Sequence, residues 1–239
     1  LFFVPKNHIH VAGYQLGFNI VDLFSLNNVG FVTANDGLNI SFTKNEQRDK
    51  ISDIINMDEN EWRRKYFRPE DAQSWKYKWA KQDAIENESK PLTKVAFRIF
   101  DTRYTLYTGK SGGLYARPIN QVMRNFIMGE NIGLVVARQC VSDWRYVFCT
   151  KYINDFNLTS TAGRFGSGNT FPLYIYPVIT GQQTIEQTKK RTPNLNTEIV
   201  KQIADILGLN FTTEKETTKD TFAPIDILDY IYAVLHSPT

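Results

Sequence analysis

Cysteine and histidine are scarce, with two and three copies in 239 residues. Cys140 and Cys149 fall in segments that read as strands, so buried reduced thiols are expected, not a disulfide or a metal pair. His8 and His10 alternate along an extended segment and His236 is remote. With no close CxxC or HxxxH spacing, no zinc site is expected. Apolar runs stop well short of the roughly 18 residues a membrane span needs, so no membrane partner is expected, and the expected compartment is the cytoplasm. Charge of one sign is also modest: the formal net charge of +3 does not by itself imply a nucleic-acid partner. Aromatic residues are what the chain has in quantity, 13%, mostly Phe and Tyr, which suits a strand-rich protein. The apolar and charged fractions are those of a soluble globular chain, long enough for one large domain or two small ones.

The segment Leu1-Phe2-Phe3-Val4-Pro5 lacks an initiator Met and reads as the middle of a strand. At the other end Ala233 to Thr239 stops as a helix finishes, and the expectation is a piece of a longer polypeptide. Gly30 to Thr33 and Leu38 to Phe42 are extended runs around Asn35-Asp36-Gly37, a hairpin-turn signal. Thr43 is placed to cap a helix over 44–57 with Ile51, Ile54 and Ile55 as its apolar stripe. From Glu59 to Asn87 the text is helical and charged, split at Arg68-Pro69. Trp62 with Tyr66 and Trp75 with Trp79 are spaced to share helix faces. This stretch suits a nucleic-acid surface, or, more simply, aromatics in the core and Lys/Arg in solvent. After Pro91 come strands at 95–100, 105–108, 131–137, 145–149 and 171–177, with a Pro-opened helix over 118–128. A polar linker (180–192) precedes two helices, 196–207, stopped by Gly208, and 224–236 with the apolar face Ile227, Tyr230, Ile231, Val234. The fold class is α+β: short strands in a mixed or antiparallel sheet, flanking helices and a helical C-terminus. One recognition domain is expected, with a possible subdivision at 1–90 and 91–239.

Several motifs resemble catalytic ones and fail on spacing or context. Thr108-Gly109-Lys110-Ser111 ends like a phosphate-binding loop, but Tyr104 stands where that loop needs its first Gly. Phe165-Gly166-Ser167-Gly168-Asn169-Thr170-Phe171 looks like the loop of adenine methyltransferases that closes on S-adenosylmethionine. It follows a polar segment instead of a buried strand, and the Asn/Asp-Pro-Pro-Tyr/Phe tetrapeptide is absent from the sequence. Glu214-Lys215-Glu216 and Asp220 sit in a charged loop that suits solvent better than nuclease chemistry. No complete catalytic set can be assembled, which favours a binding module over an enzyme.

Basic residues cluster between Lys94 and Lys151, nine against three acidic ones, a local charge of +6 that leaves the rest of the chain at −3. Arginine dominates, the side chain suited to bidentate contact with phosphate or guanine. Gly109, Gly112 and Gly113 allow backbone N–H groups to approach a phosphate. In this stretch an ordered set of blocks occurs. Phe100-Asp101-Thr102-Arg103-Tyr104, Tyr107-Thr108-Gly109, Arg117-Pro118 and Val122-Met123-Arg124 are followed by Ala137-Arg138-Gln139, Trp144 and Val147-Phe148-Cys149-Thr150. Phe171 to Pro177, Pro193 to Asn196 and Asp226 to Pro238 complete it.

Together the blocks resemble the C-terminal specificity region of type ISP and related type IIG restriction–modification enzymes, most firmly over 97–238. The resemblance implies a target recognition domain that reads double-stranded DNA beside an upstream N6-adenine methyltransferase in the same polypeptide. It also implies that S-adenosylmethionine belongs to that parent enzyme, with no cofactor or metal in this fragment. Candidate DNA contacts are Arg103, Arg117 and Arg138 within the blocks, and Asn35, Lys110, Ser111, Gln139, Arg145, Ser160 and Arg164 in loops between them. An internal ion pair with Asp101 is the alternative for Arg103. The competing function is a scaffold joining enzyme domains without reading DNA.

Overall fold

The computed structural model describes residues 17–137, 147–159, 167–178 and 190–237. Side-chain caps start most of the N-terminal helices. Asn19 opens α1 (Ile20–Leu23), which precedes β1 (Asn28–Val29). Thr43 opens α3 (Lys44–Asn56), its hydroxyl accepting the Glu46 N–H at 3.1 Å. Ile51 and Ile54 of α3 are buried as their spacing requires. Asp58 caps α4 (Glu59–Lys65), and α5 spans Tyr77–Asn87. Trp62 is fully buried, with ring centroids 5.0 Å from Tyr66, 6.0 Å from Trp75 and 5.1 Å from Tyr77.

Two expectations for this region are corrected. Asn35-Asp36-Gly37 does not turn a hairpin but starts a one-turn helix, α2 (Asp36–Asn39). Asn35 Oδ1 accepts the Leu38 N–H at 3.3 Å and the Thr33 hydroxyl bonds to Asp36, so local side-chain bonds hold the backbone in a cap. Trp75 and Trp79 do not share a helix face, because Trp75 lies ahead of α5 and is fully buried while Trp79 is exposed.

β2 (Thr93–Arg98) and β3 (Asp101–Thr105) form a hairpin that turns at Ile99-Phe100. β6 (Ile153–Asn154) adds to β2 in parallel, giving the order β3–β2–β6. The helix expected over 118–128 is shorter. Ile119 takes a left-handed φ of 52°, after which α6 (Asn120–Met123) passes into a 3-10 turn, Arg124–Phe126.

The larger sheet is antiparallel, ordered β1–β7–β4–β5, from β4 (Gly133–Ala137), β5 (Val147–Thr150) and β7 (Gly168–Pro172). Short pairs follow: β8 (Tyr174–Ile175) with β9 (Thr192–Pro193), and β10 (Asn210–Phe211) parallel to β11 (Thr221–Phe222). α7 (Thr197–Leu207) is capped by Asn196 and stopped by Gly208 at φ 64°, as its sequence predicts. α8 (Pro224–His236) buries Ile227 and Leu228 but leaves Tyr230 and Val234 exposed, narrowing its expected apolar face. Cys149 is likewise exposed, not buried. Partial desolvation and the Asp229 carboxylate push its thiol up to about 11, so it stays protonated near neutrality.

The architecture is α+β, as expected. Two apolar clusters form within it. One joins the N-terminal helices to β2, β6 and the 106–126 segment through Phe31, Ile54, Trp62, Val95, Leu114 and Tyr115. The other joins α1 to β4, β5, β7 and the C-terminal helices through Phe24, Leu134, Phe171, Ile199 and Ile227.

Candidate nucleic-acid interface

The Arg117 backbone exchanges two hydrogen bonds with Val32, at 2.8 and 3.0 Å, so this residue is anchored while its side chain is exposed. The guanidinium lies 5.4 Å from the Phe156 ring, and no carboxylate of the described residues forms an ion pair with it. Arg117 borders two clefts. The larger, of about 540 Å³, is lined by Thr33, Asn35, Phe67, Arg68, Asp155 and Asn157, among others. The smaller, of about 390 Å³, is lined by Asn28, Ser111, Asn120 and Gln121 among others. The fold therefore brings Asn35, Ser111 and Arg117 to one surface.

Asn35 is 8% exposed, and its Nδ2 has no hydrogen-bond partner among the described residues. A buried amide donor left without an acceptor costs about 1–3 kcal/mol, so Asn35 is held at the cleft at a cost to the fold. Arg68 donates to the Ala34 carbonyl at 2.9 Å and packs over Trp75, which fixes that wall of the cleft.

Lys110 and Ser111 lie in a loop held from beneath by Asp83. This fully buried carboxylate accepts the Thr108 hydroxyl and the Leu114 N–H, each at 2.8 Å. A side chain at Gly113 would collide with it, which is why glycine stands there. The Lys110 N–H goes to the Thr108 hydroxyl at 3.3 Å, so this backbone donor is used within the loop. The Lys110 ammonium pairs with Glu86 at 2.9 Å on the surface, and Ser111 donates to the Ala116 carbonyl at 3.3 Å.

Arg103 forms the ion pair with Asp101, at 2.8 Å, and lies over the Phe42 and Phe97 rings at 4.0 and 4.5 Å. It is the most engaged of the described candidates. Arg138, Gln139, Arg145, Ser160 and Arg164 lie outside the described residues. Sequence reasoning missed Asp83, Arg68 and Asn157. A signal existed for Asp83 alone: Tyr77, Ala80 and Ala84 mark the buried face of α5, and Asp83 falls on that face.

Asp155 forms the inner wall of the larger cleft. Burial pushes its carboxyl up to about 6, although the Asn157 N–H and the Arg98 guanidinium, each 2.7 Å away, favour the anion. Between pH 4 and 6 the folded protein thus holds a proton that the unfolded chain has released, and stability falls as pH rises through that window. The slope contributed by this group is at most about 1.4 kcal/mol per pH unit. Urea unfolding at pH 4.5 and 6.5 should show Asp155→Asn gaining stability relative to the parent protein at the higher pH. Parallel pH profiles for the two proteins would contradict the assignment.

The clefts thus combine arginine and carboxamide side chains with the carboxylates of Asp36 and Asp155 on an α+β scaffold. The family model for the type ISP C-terminal specificity domain matches residues 22–239, and the chain belongs to that family. Among solved structures, its fold is similar to part of a DrdV–DNA complex determined by cryo-EM, at 18% identity and a TM-score of 0.58, covering 90% of this chain and 20% of that one. It is also similar to part of the ATP-dependent type ISP restriction-modification enzyme LlaBIII bound to DNA, at 14% identity and a TM-score of 0.55, covering 90% and 13%. The chain thus spans a fifth or less of the length of these neighbours. No curated protein matches it.

Proposed function

We propose that this chain binds double-stranded DNA and reads a short target through the surface around Arg117, as the recognition part of a restriction–modification enzyme. The observation that carries this reading is the Arg117 cleft: an anchored arginine without a carboxylate partner beside the buried, unused Nδ2 of Asn35. Arginine matches guanine or phosphate, and carboxamides match adenine, so the lining has the chemistry of base-edge contact. Family membership and the DNA named with both neighbours support the same reading. The catalytic parts, an adenine methyltransferase with its S-adenosylmethionine and any nuclease, are assigned to polypeptide beyond this sequence, working in the cytoplasm. Gly168 of the glycine-rich stretch pairs with Ala137 in the β4–β7 ladder, and a side chain there would press on Val135. That glycine serves the sheet.

Selection from a random-sequence duplex library at low and moderate salt tests this. Enrichment of a short motif that survives the higher salt is expected. Binding without enrichment, lost as salt rises, would reduce the role to phosphate contact. No recovery from folded protein would favour the scaffold function.

A further inference from the structure

Helix α4 ends in a turn that usually requires glycine. The Arg68 N–H returns to the Arg63 carbonyl at 2.9 Å, and Phe67 between them takes a left-handed φ of 49°. Glycine is favoured in this place because a side chain there is strained. Phenylalanine is a poor choice on a second count, since its side chain is 92% exposed. Neither backbone preference nor burial accounts for it, and a residue that costs the fold on both counts points to a use outside the fold. Phe100 shares the left-handed backbone and the exposure, but of the two it is Phe67 that lines the Arg117 cleft.

The surroundings say what Phe67 meets. It lies in Arg63-Arg64-Lys65-Tyr66-Phe67-Arg68, four cations in six residues. Arg63 is tied to Glu59 and Asp71, and Lys65 to Asp53, whereas Arg64 is exposed and forms no ion pair among the described residues. The same cleft is lined by Arg117, Asn35 and Asn157, and by Asp36 and Asp155. An aromatic anchor for a protein partner would be ringed by apolar surface. This ring stands in a polar setting instead, with a cation-rich stretch of chain on its own side and an arginine, amides and two carboxylates lining the cleft, where a ring can stack on bases while the cations hold phosphate.

We propose that Phe67 is a wedge: on binding, its ring enters the base stack of the DNA held against the Arg117 cleft and unstacks one step. It is a positioning residue, which opens the duplex for readout by its neighbours. The inference rests on the DNA-reading function proposed above.

The test uses the duplex recovered by the library selection, with 2-aminopurine placed in turn at each position of the motif. Wild-type protein is expected to raise the emission at one step, reporting unstacking. Phe67→Gly should abolish that rise and weaken binding about tenfold, while the thermal midpoint stays level or rises because glycine suits the left-handed turn. Phe67→Tyr should restore both emission and affinity. Tight binding by Phe67→Gly with unchanged emission would overturn the wedge and leave DNA reading intact. A fall in the thermal midpoint that accounts for the lost binding would overturn it in favour of a structural role. Failure of the library selection to recover any duplex with folded wild-type protein would overturn both inferences.

Discussion

Asp83→Ala is expected to lower the free energy of unfolding by about 3 kcal/mol, the largest effect anticipated for a single polar residue here. The carboxylate is fully buried and accepts the Thr108 hydroxyl and the Leu114 N–H, while the Asn87 amide donates to its other oxygen at 2.9 Å. Truncation leaves the buried Leu114 N–H and the part-buried Thr108 hydroxyl without their acceptor, and a buried donor left so costs about 1–3 kcal/mol, whereas the Asn87 amide keeps its bond to the Asp83 carbonyl. The consequence is local as well as global. The loop carrying Lys110 and Ser111 is tied to α5 through this group, so the Leu114 amide should lose hydrogen-exchange protection in the variant. Asp83→Asn, which keeps one acceptor, should fall between the two proteins. Urea unfolding with exchange at Leu114 measures both. A loss below about 1 kcal/mol with Leu114 still protected would show that the loop is held by other contacts.

Arg117→Ala is expected to reduce affinity for the selected duplex about tenfold or more, and to lower the slope of log affinity against log salt by about one. Stability should hardly change, because the fold uses the Arg117 backbone through its pairing with Val32 and not the side-chain charge. Arg117→Lys separates two modes of contact. Lysine keeps the charge but not the planar fork. If Arg117 holds phosphate, the lysine variant should recover most of the affinity. If it reads guanine, the variant should keep the salt slope and lose preference at one base position. Unchanged affinity and slope for the alanine variant would remove Arg117, and with it the cleft, from the interface.

Much of the fold was legible in local sequence. Thr43 and Asn196 as caps, Gly208 as a stop and Ile51 and Ile54 as a buried stripe act through contacts within a few residues, and each stands where pattern placed it. The α+β class follows from the same alternation of short strands and capped helices. What failed locally failed for a physical reason. Asn35-Asp36-Gly37 carries a turn signal, but a cap and a turn use the same side-chain bonds, and the contacts around α2 choose between them.

The candidate site divides in the same way. An excess of arginine between Lys94 and Lys151 is a property of the sequence, and so is the order of blocks that ties the chain to its family. Which of those arginines is free is not. Arg103 and Arg117 are both arginines in basic blocks, yet one is paired with Asp101 over two aromatic rings and the other stands beside open clefts. Asn35 and Arg117 are remote in the chain and meet because residues 31 and 32 bridge to residues 155 and 117. Composition and short-range pattern determined the elements, the class and the family. Long-range pairing decided which charges were neutralised, which amide was left without a partner and which aromatic was left in water, because those outcomes depend on neighbours that only the tertiary fold supplies.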